Sequence, residues 1–205
     1  MDPVVILRAA ALTVAAFVIG GIPWGVIVAR LSGGPDPRTI GSGRTGGANV
    51  MRALGPRLAL VSGLLDMLKG TAAVLLVRLL GAGIEIEVLA GLAAIVGHSR
   101  SPFLGFSGGR GVSAAFGAAL ILAPLPSAVI LVVFVAILAL WRYTSLASLA
   151  SAVVGGIALA IQVVATPLPP VLLVFAAGAP LLIWIFHLDN IGRLVRGEER
   201  KFGSK

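Results

Sequence analysis

The residues in this chain that could do chemistry are few and fall in groups. Gly97-His98-Ser99-Arg100-Ser101-Pro102-Phe103-Leu104-Gly105-Phe106-Ser107-Gly108-Gly109-Arg110-Gly111 is polar, basic and glycine-rich, and it sits between two apolar runs. Glycine reaches positive φ, so a Gly-Gly-x-Gly turn can converge backbone N–H groups on an anion. Arginine adds a fork of donors that matches phosphate oxygens. The pattern points to a phosphate site, with Gly108, Gly109 and Gly111 as a cradle and Arg110 as the charge. His98 and Ser101 flank it, His98 as a helix-end capping residue or a substrate contact.

A second group is Gly41-Ser42-Gly43-Arg44-Thr45-Gly46-Gly47-Ala48-Asn49-Val50-Met51-Arg52. Its start matches G-x-G-x-x-G, and Asp66 follows at the spacing of a dinucleotide fingerprint. That chemistry is excluded, because the fingerprint needs a soluble strand ahead of the glycines and an acid ending a second strand. Here an apolar helix precedes the glycines and Asp66 lies inside another. Asn49 and Arg52, at i, i+3, face the same way on a helical turn. Asp66 and Lys69 share that spacing and can neutralise one another within the membrane, or Lys69 can reach a phosphate from below. Ser145 follows Arg142 and is either the N-cap of a helix or a substrate contact. In the tail, His187, Asn190, Ile191 and Leu194 fall on one helix face with Arg193 beside them. Arg196, Arg200 and Lys201 suit anionic lipid.

These groups are held in a chain made mostly of apolar helix. Of 205 residues 58% are hydrophobic and only 12% charged, with a mean hydropathy of +1.06. A soluble domain carries about a quarter charged residues, so the class is integral membrane protein. Cysteine is absent and there are 2 histidines, which excludes a disulfide framework, thiol chemistry and a zinc ligand set. The net charge of +8 then reflects cytoplasmic loops and an anionic substrate rather than nucleic acid.

Apolar runs at 4–31, 58–80, 86–97 and 112–141 account for the first half of the bundle. The uncharged run 112–141 is too long for one span and is expected to hinge at Ala123-Pro124-Leu125-Pro126. The run 146–186 is expected to break at Thr166-Pro167-Leu168-Pro169-Pro170. The total is about seven transmembrane helices in an all-α integral membrane protein, residues 1–205 forming a single membrane-embedded domain. Segments 32–57, 98–111, 142–145 and 187–205 fall on one side and hold most of the 16 lysines and arginines. The positive-inside rule makes that side cytoplasmic, with the N-terminus outside and the C-terminus cytoplasmic.

The groups occur in a fixed order: Gly41-Ser42-Gly43 with Gly46, Asn49 and Arg52; Asp66 with Lys69-Gly70; Gly97-His98 with Ser101, Phe103-Leu104, Phe106 and Gly108-Gly109-Arg110-Gly111-Val112; then His187, Asn190-Ile191, Arg193-Leu194 and Gly197-Glu198. In that order they resemble the bacterial acyl-phosphate:glycerol-3-phosphate acyltransferases, the PlsY family, over essentially the whole chain. Arg44, Gly47 and Ala48 stand where the family usually has Asn, Ala and Thr, and Arg110 stands where it has Lys. The resemblance implies acyl transfer from acyl phosphate to the 1-hydroxyl of sn-glycerol 3-phosphate, giving lysophosphatidic acid, with neither cofactor nor metal. It further implies a multi-pass protein of the bacterial inner membrane, its site at the cytoplasmic face among membrane lipid. A functional link to an enzyme that makes acyl phosphate follows.

His187, Asn190, Ser145 and Arg110 are the implied catalytic set. Ser42, Gly43, Asn49, Arg52, Lys69, His98, Ser101, Gly108, Gly109, Gly111 and Arg193 are the implied substrate-binding set. Arg52, Arg110 and Lys69 would neutralise the two phosphates. The His-x-x-x-x-Asp of other glycerolipid acyltransferases is absent, since Phe103 and Gly192 stand five positions after His98 and His187. An anion transporter would instead need polar groups at mid-membrane on several helices, and a lipid-binding scaffold would leave His187 and Asn190 unexplained.

Overall fold

The structure, a computed structural model, describes residues 2–203. Among them the chain forms α1 (Pro3–Gly21), α2 (Trp24–Leu31), α3 (Gly47–Leu54), α4 (Pro56–Leu79), α5 (Ile84–Ser99), α6 (Val112–Leu122), α7 (Pro124–Trp141), α8 (Thr144–Ala165), α9 (Leu172–Phe186) and α10 (Leu188–Val195). Short 3₁₀ turns at Pro37–Thr39 and Pro102–Leu104 complete it.

Proline explains most of the breaks. Pro23 lacks an N–H and splits the first apolar run into α1 and α2. Pro124 starts α7 straight after Ala123, where the long uncharged run was expected to hinge. α8 ends at Ala165 ahead of Pro167, and α9 begins at Leu172. Helices therefore cover each expected apolar run, the first of them as two helices rather than one.

Among the described residues, four segments are long and apolar enough to cross a membrane: Pro3–Leu31, Pro56–Leu79, Pro124–Trp141 and Thr144–Ala165. A fifth is counted if α9 and α10, bent by 66°, form one span. α5, with 16 residues, and α6, with 11, fall short of the ~20 residues a bilayer asks for.

Small residues let the helices touch backbone to backbone, as membrane bundles favour. A Cβ on Gly20 would strike the Ala94 carbonyl and one on Gly97 the Phe17 carbonyl, which locks α1 onto α5. Gly70 meets the backbone of Ala114, and Gly117 that of Met67, which locks α4 onto α6. At one end of the bundle Arg78 pairs with Glu87 at 2.6 Å, and Arg8 donates to the Leu80 carbonyl. At the other end the four polar segments meet.

Candidate active site

That meeting encloses a cavity of about 680 Å³. Its wall draws on all the polar groups found in the sequence except Asp66 with Lys69: Ser42, Arg44, Asn49 and Arg52; His98 and Arg110; Ser145; His187, Asn190 and Arg193.

The tail supplies the centre. α9 ends at Phe186 and the backbone turns at His187, so α10 is aimed across the cavity mouth. His187 Nδ1 lies 2.8 Å from the Ile183 carbonyl, which places the ring hydrogen there and leaves Nε2 as an acceptor. Burial lowers the imidazole pKa to about 4, with Arg110 pushing the same way, so the ring is neutral.

Asn190 is buried and donates from Nδ2 to Glu199 Oε1 at 2.7 Å, while its Oδ1 has no partner among the described residues. Ser145, in the first turn of α8, donates to the same oxygen at 3.0 Å. Arg193 Nε donates to Glu199 Oε2 at 2.8 Å. One buried carboxylate thus ties the second half of the bundle to the tail. The sequence reading missed it by placing the motif's acid at Glu198, which points outward to Arg196. The spacing Gly197-x-Glu199 was the available signal.

Arg110 Nη2 meets Asp189 Oδ2 at 2.6 Å, and its buried Nε is unpartnered among the described residues. Burial lowers its pKa and Asp189 opposes the change. Arg52 stands half-buried on α3, its pKa lowered by burial and by the cation of Arg200. Arg200, assigned to lipid on sequence grounds, lines the cavity instead. Phe202 holds that end of the tail in place: its carbonyl accepts from Arg142 at 3.0 Å and its N–H meets the Arg142 carbonyl.

Several expected binding residues do other work. Gly108, Gly109 and Gly111 are buried and do not line the cavity. Gly109 donates to the His98 carbonyl at 3.1 Å, and its Cα faces the His98 ring so closely that a Cβ would collide with Nε2. The turn is tight because it packs on α5, and it presents Arg110 rather than a nest of N–H groups. Gly111, at φ 80, then starts α6.

Lys69 is buried against Asp66 at 2.7 Å and donates to the Ile22 carbonyl at 2.6 Å, freed by the break at Pro23. His98 Nδ1 sits 3.4 Å from the same Asp66 oxygen. Lys69 therefore stands apart from the cavity wall, in a buried charge cluster under the Gly109 turn. Ser101 is buried and donates to the Gly21 carbonyl at 2.6 Å. Asn49 accepts from the Ser42 N–H at 3.1 Å and donates to the carbonyls of Pro37 at 2.6 Å and Arg44 at 2.8 Å, so it shapes the loop. Gly43, at φ 66, is part of that loop and not of the wall.

A second, apolar space of about 210 Å³ lies between α4, α6, α7, α8 and α9. Val112, Ser113, Phe134 and Ser148 line both spaces, so the slot and the polar cavity are neighbours with a common wall.

Residues 10–197 match the family described as glycerol-3-phosphate acyltransferase. The chain belongs to that family. The glycerol-3-phosphate acyltransferase of Rubrobacter xylanophilus is 43% identical over 95% of each chain. Glycerol-3-phosphate acyltransferase 1 of Deinococcus radiodurans is 40% identical over 93% of each. The fold is similar to the crystal structure of PlsY, an integral membrane glycerol 3-phosphate acyltransferase, in its glycerol 3-phosphate form, with a TM-score of 0.86, 34% identity and 96% of each chain covered. Its lysophosphatidic acid form matches with a TM-score of 0.84. This member of the glycerol-3-phosphate acyltransferase family carries Arg110, Arg52 and the His187–Asn190 pair around one cavity.

Proposed function

We propose that this protein transfers a fatty acyl group from acyl phosphate to the 1-hydroxyl of sn-glycerol 3-phosphate, releasing phosphate and lysophosphatidic acid. The observation that carries this is the junction of a cation-rich cavity with an apolar slot. Two phosphates need cations and one alkyl tail needs oil, and here the two environments share a wall.

The roles follow from geometry. Arg44, Arg52, Arg110, Arg193 and Arg200 all line the cavity, enough charge for two phosphate groups. Asn190 Oδ1 and Arg110 Nε are buried polar atoms whose missing partners a substrate would supply. His187 Nε2 accepts the hydrogen bond of the glycerol hydroxyl and aligns its oxygen on the acyl carbonyl carbon. The new C–O bond forms there as the carbonyl–phosphate bond breaks. With a pKa of about 4 the imidazole is a poor resting place for the proton, whereas a phosphate has its second pKa near ~6. The proton therefore leaves on the departing phosphate, and His187 orients rather than stores it. Developing carbonyl charge is met by Arg110, whose buried Nε is unpartnered among the described residues, while Ser145 spends its one hydroxyl proton on Glu199 and holds that carboxylate in place.

The seven-span arrangement, with the N-terminus outside and the cavity at the cytoplasmic face of the bacterial inner membrane, belongs to the same proposal. Clustering of the basic segments around one cavity supports it. So does a water-soluble acceptor, which must enter from the cytosol. The donor would come from an enzyme that makes acyl phosphate.

Purified protein in detergent, labelled glycerol 3-phosphate and palmitoyl phosphate should give labelled lysophosphatidic acid, and palmitoyl-CoA should give none. Turnover with the thioester alone would sink the donor assignment.

A further inference from the structure

We infer that α6 carries an acyl-chain ruler: Ala115, Ala119 and Ala123 set the longest fatty chain the enzyme accepts efficiently. The inference rests on the acyl-phosphate chemistry proposed above and extends it to chain-length specificity.

The three alanines recur every fourth residue, all line the apolar slot, and all are nearly inaccessible, at 6%, 4% and 3% exposed. Ala115 and Ala119 lie one turn apart on one face of α6, and Ala123, the capping residue at its C-terminal end, continues the lining. The opposite face of α6 has no room to spare, with Gly117 against the Met67 carbonyl and the Ala114 backbone against Gly70. The alanines share the open side of α6 with Val112, Ser113 and Phe116, and beyond Phe116 they alone carry its lining of the slot.

The row starts at the reaction end. Val112, one turn ahead of Ala115, borders both the polar cavity and the slot. Each four-residue step along α6 advances about 6 Å. An extended chain of ~1.5 Å carbon–carbon bonds covers that step in roughly four or five methylenes. The three methyls therefore mark shallow, middle and deep positions along a tail leaving the cavity. Past Ala123 the slot runs into Pro126 and the buried side chain of Leu159. A larger side chain in the row should shorten the accepted tail, and by more the nearer it sits to Val112.

The test compares Ala115→Leu, Ala119→Leu and Ala123→Leu in detergent with octanoyl, lauroyl and palmitoyl phosphate at fixed glycerol 3-phosphate. The readout is the ratio of palmitoyl to octanoyl kcat/KM within each variant, which cancels differences in the amount of folded enzyme. We expect a fall of about tenfold or more for Ala115→Leu and Ala119→Leu, the scale on which apolar pockets discriminate methylenes. Ala123→Leu should fall least and keep lauroyl phosphate as a good donor. Where a leucine prevents purification, valine at the same position gives a smaller change in the same order. An unchanged ratio across the row, or a fall that ignores depth, overturns the ruler. Failure of the wild type with every acyl phosphate would instead remove the donor chemistry beneath it, a separate and visible result.

Discussion

Asp189 holds Arg110 at 2.6 Å, on a cavity wall that also carries Arg44, Arg52, Arg193 and Arg200. The carboxylate occupies the position a phosphate oxygen would take on that guanidinium. Burial favours the neutral acid, but Arg110 and then Arg193 and Arg44 outweigh it and keep Asp189 below the usual carboxylate range. It is charged at every pH where the enzyme would be assayed, so an incoming phosphate competes with it.

Two substitutions separate competitor from binder. Asp189→Asn should lower KM for glycerol 3-phosphate by about two- to fivefold, the worth of a partly exposed ion pair. Arg110→Ala should lower kcat/KM by about 10²-fold or more, as loss of a charge-stabilising donor does. Arg110→Lys, which keeps the charge and loses the fork, should fall between them. Steady-state kinetics decide. A higher KM in Asp189→Asn would mean that Asp189 helps to hold substrate.

Glu199 should behave unlike the residues it holds. Its side chain is buried and accepts from Ser145, Asn190 and Arg193, so Glu199→Ala takes the shared acceptor from two buried side chains and leaves the part-exposed Arg193 with Asp189 at 3.5 Å. Leaving a buried donor without its acceptor costs about 1–3 kcal/mol. Thermal unfolding in detergent should show a clear drop for Glu199→Ala. Asn190→Ala should unfold near the wild type while losing turnover by about 10²-fold or more. Equal destabilisation of both would make Asn190 a structural residue only.

The sequence announced most of this and misplaced some of it for definable reasons. Helix positions were legible because apolar runs and prolines set them, as at Ala123, whereas the break at Pro23 divides a run that was expected as one helix. Convergence of four polar groups was legible as charge bias alone. What was hidden is which groups face the cavity. Gly108 and Gly109 read as a phosphate nest, yet their freedom from side chains serves close packing on His98. Lys69 reads as a phosphate ligand until the carbonyl that Pro23 frees at Ile22 is seen to take it. Glu199 and Arg200 read as part of a lipid-facing tail, because nothing local reveals that Phe202 docks on Arg142 and folds that tail inward.

His187 offers a direct check on the proton's path. Burial lowers its pKa to about 4, against 6.5 ordinarily, outweighing the Ile183 carbonyl, which pulls the other way and fixes the hydrogen of the neutral ring on Nδ1. The sign is fixed: the unfolded ring takes a proton as pH falls through about 6.5, and the folded ring only near 4. The folded state therefore loses stability on acidification across that window and is unaffected above it. With only 2 histidines, imidazole ¹⁵N spectra of wild type and His98→Gln identify the signal. It should keep the neutral pattern from roughly pH 7.5 to ~5. Protonation near 6.5 would make His187 a credible proton store and overturn the assignment of the proton to phosphate.

The contact between Gly109 and His98 yields the sharpest structural prediction. A methyl at Gly109 would land on His98 Nε2, and the ring cannot retreat, because Asp66 and the buried cluster with Lys69 lie behind it. Gly109→Ala should therefore lift the turn off α5, break the bond from Gly109 to the His98 carbonyl and displace Arg110 from the cavity. Turnover should fall by about 10²-fold, since ångström-scale misplacement of a charge donor costs that much. Removing the obstacle should repair the damage. In His98→Ala the space opens, so Gly109→Ala added to it should cost far less than Gly109→Ala alone. That makes the pair strongly non-additive in a double-mutant cycle, as groups in contact are. If the two losses simply add, the turn is not held by this contact, and Arg110 owes its position to Asp189 instead.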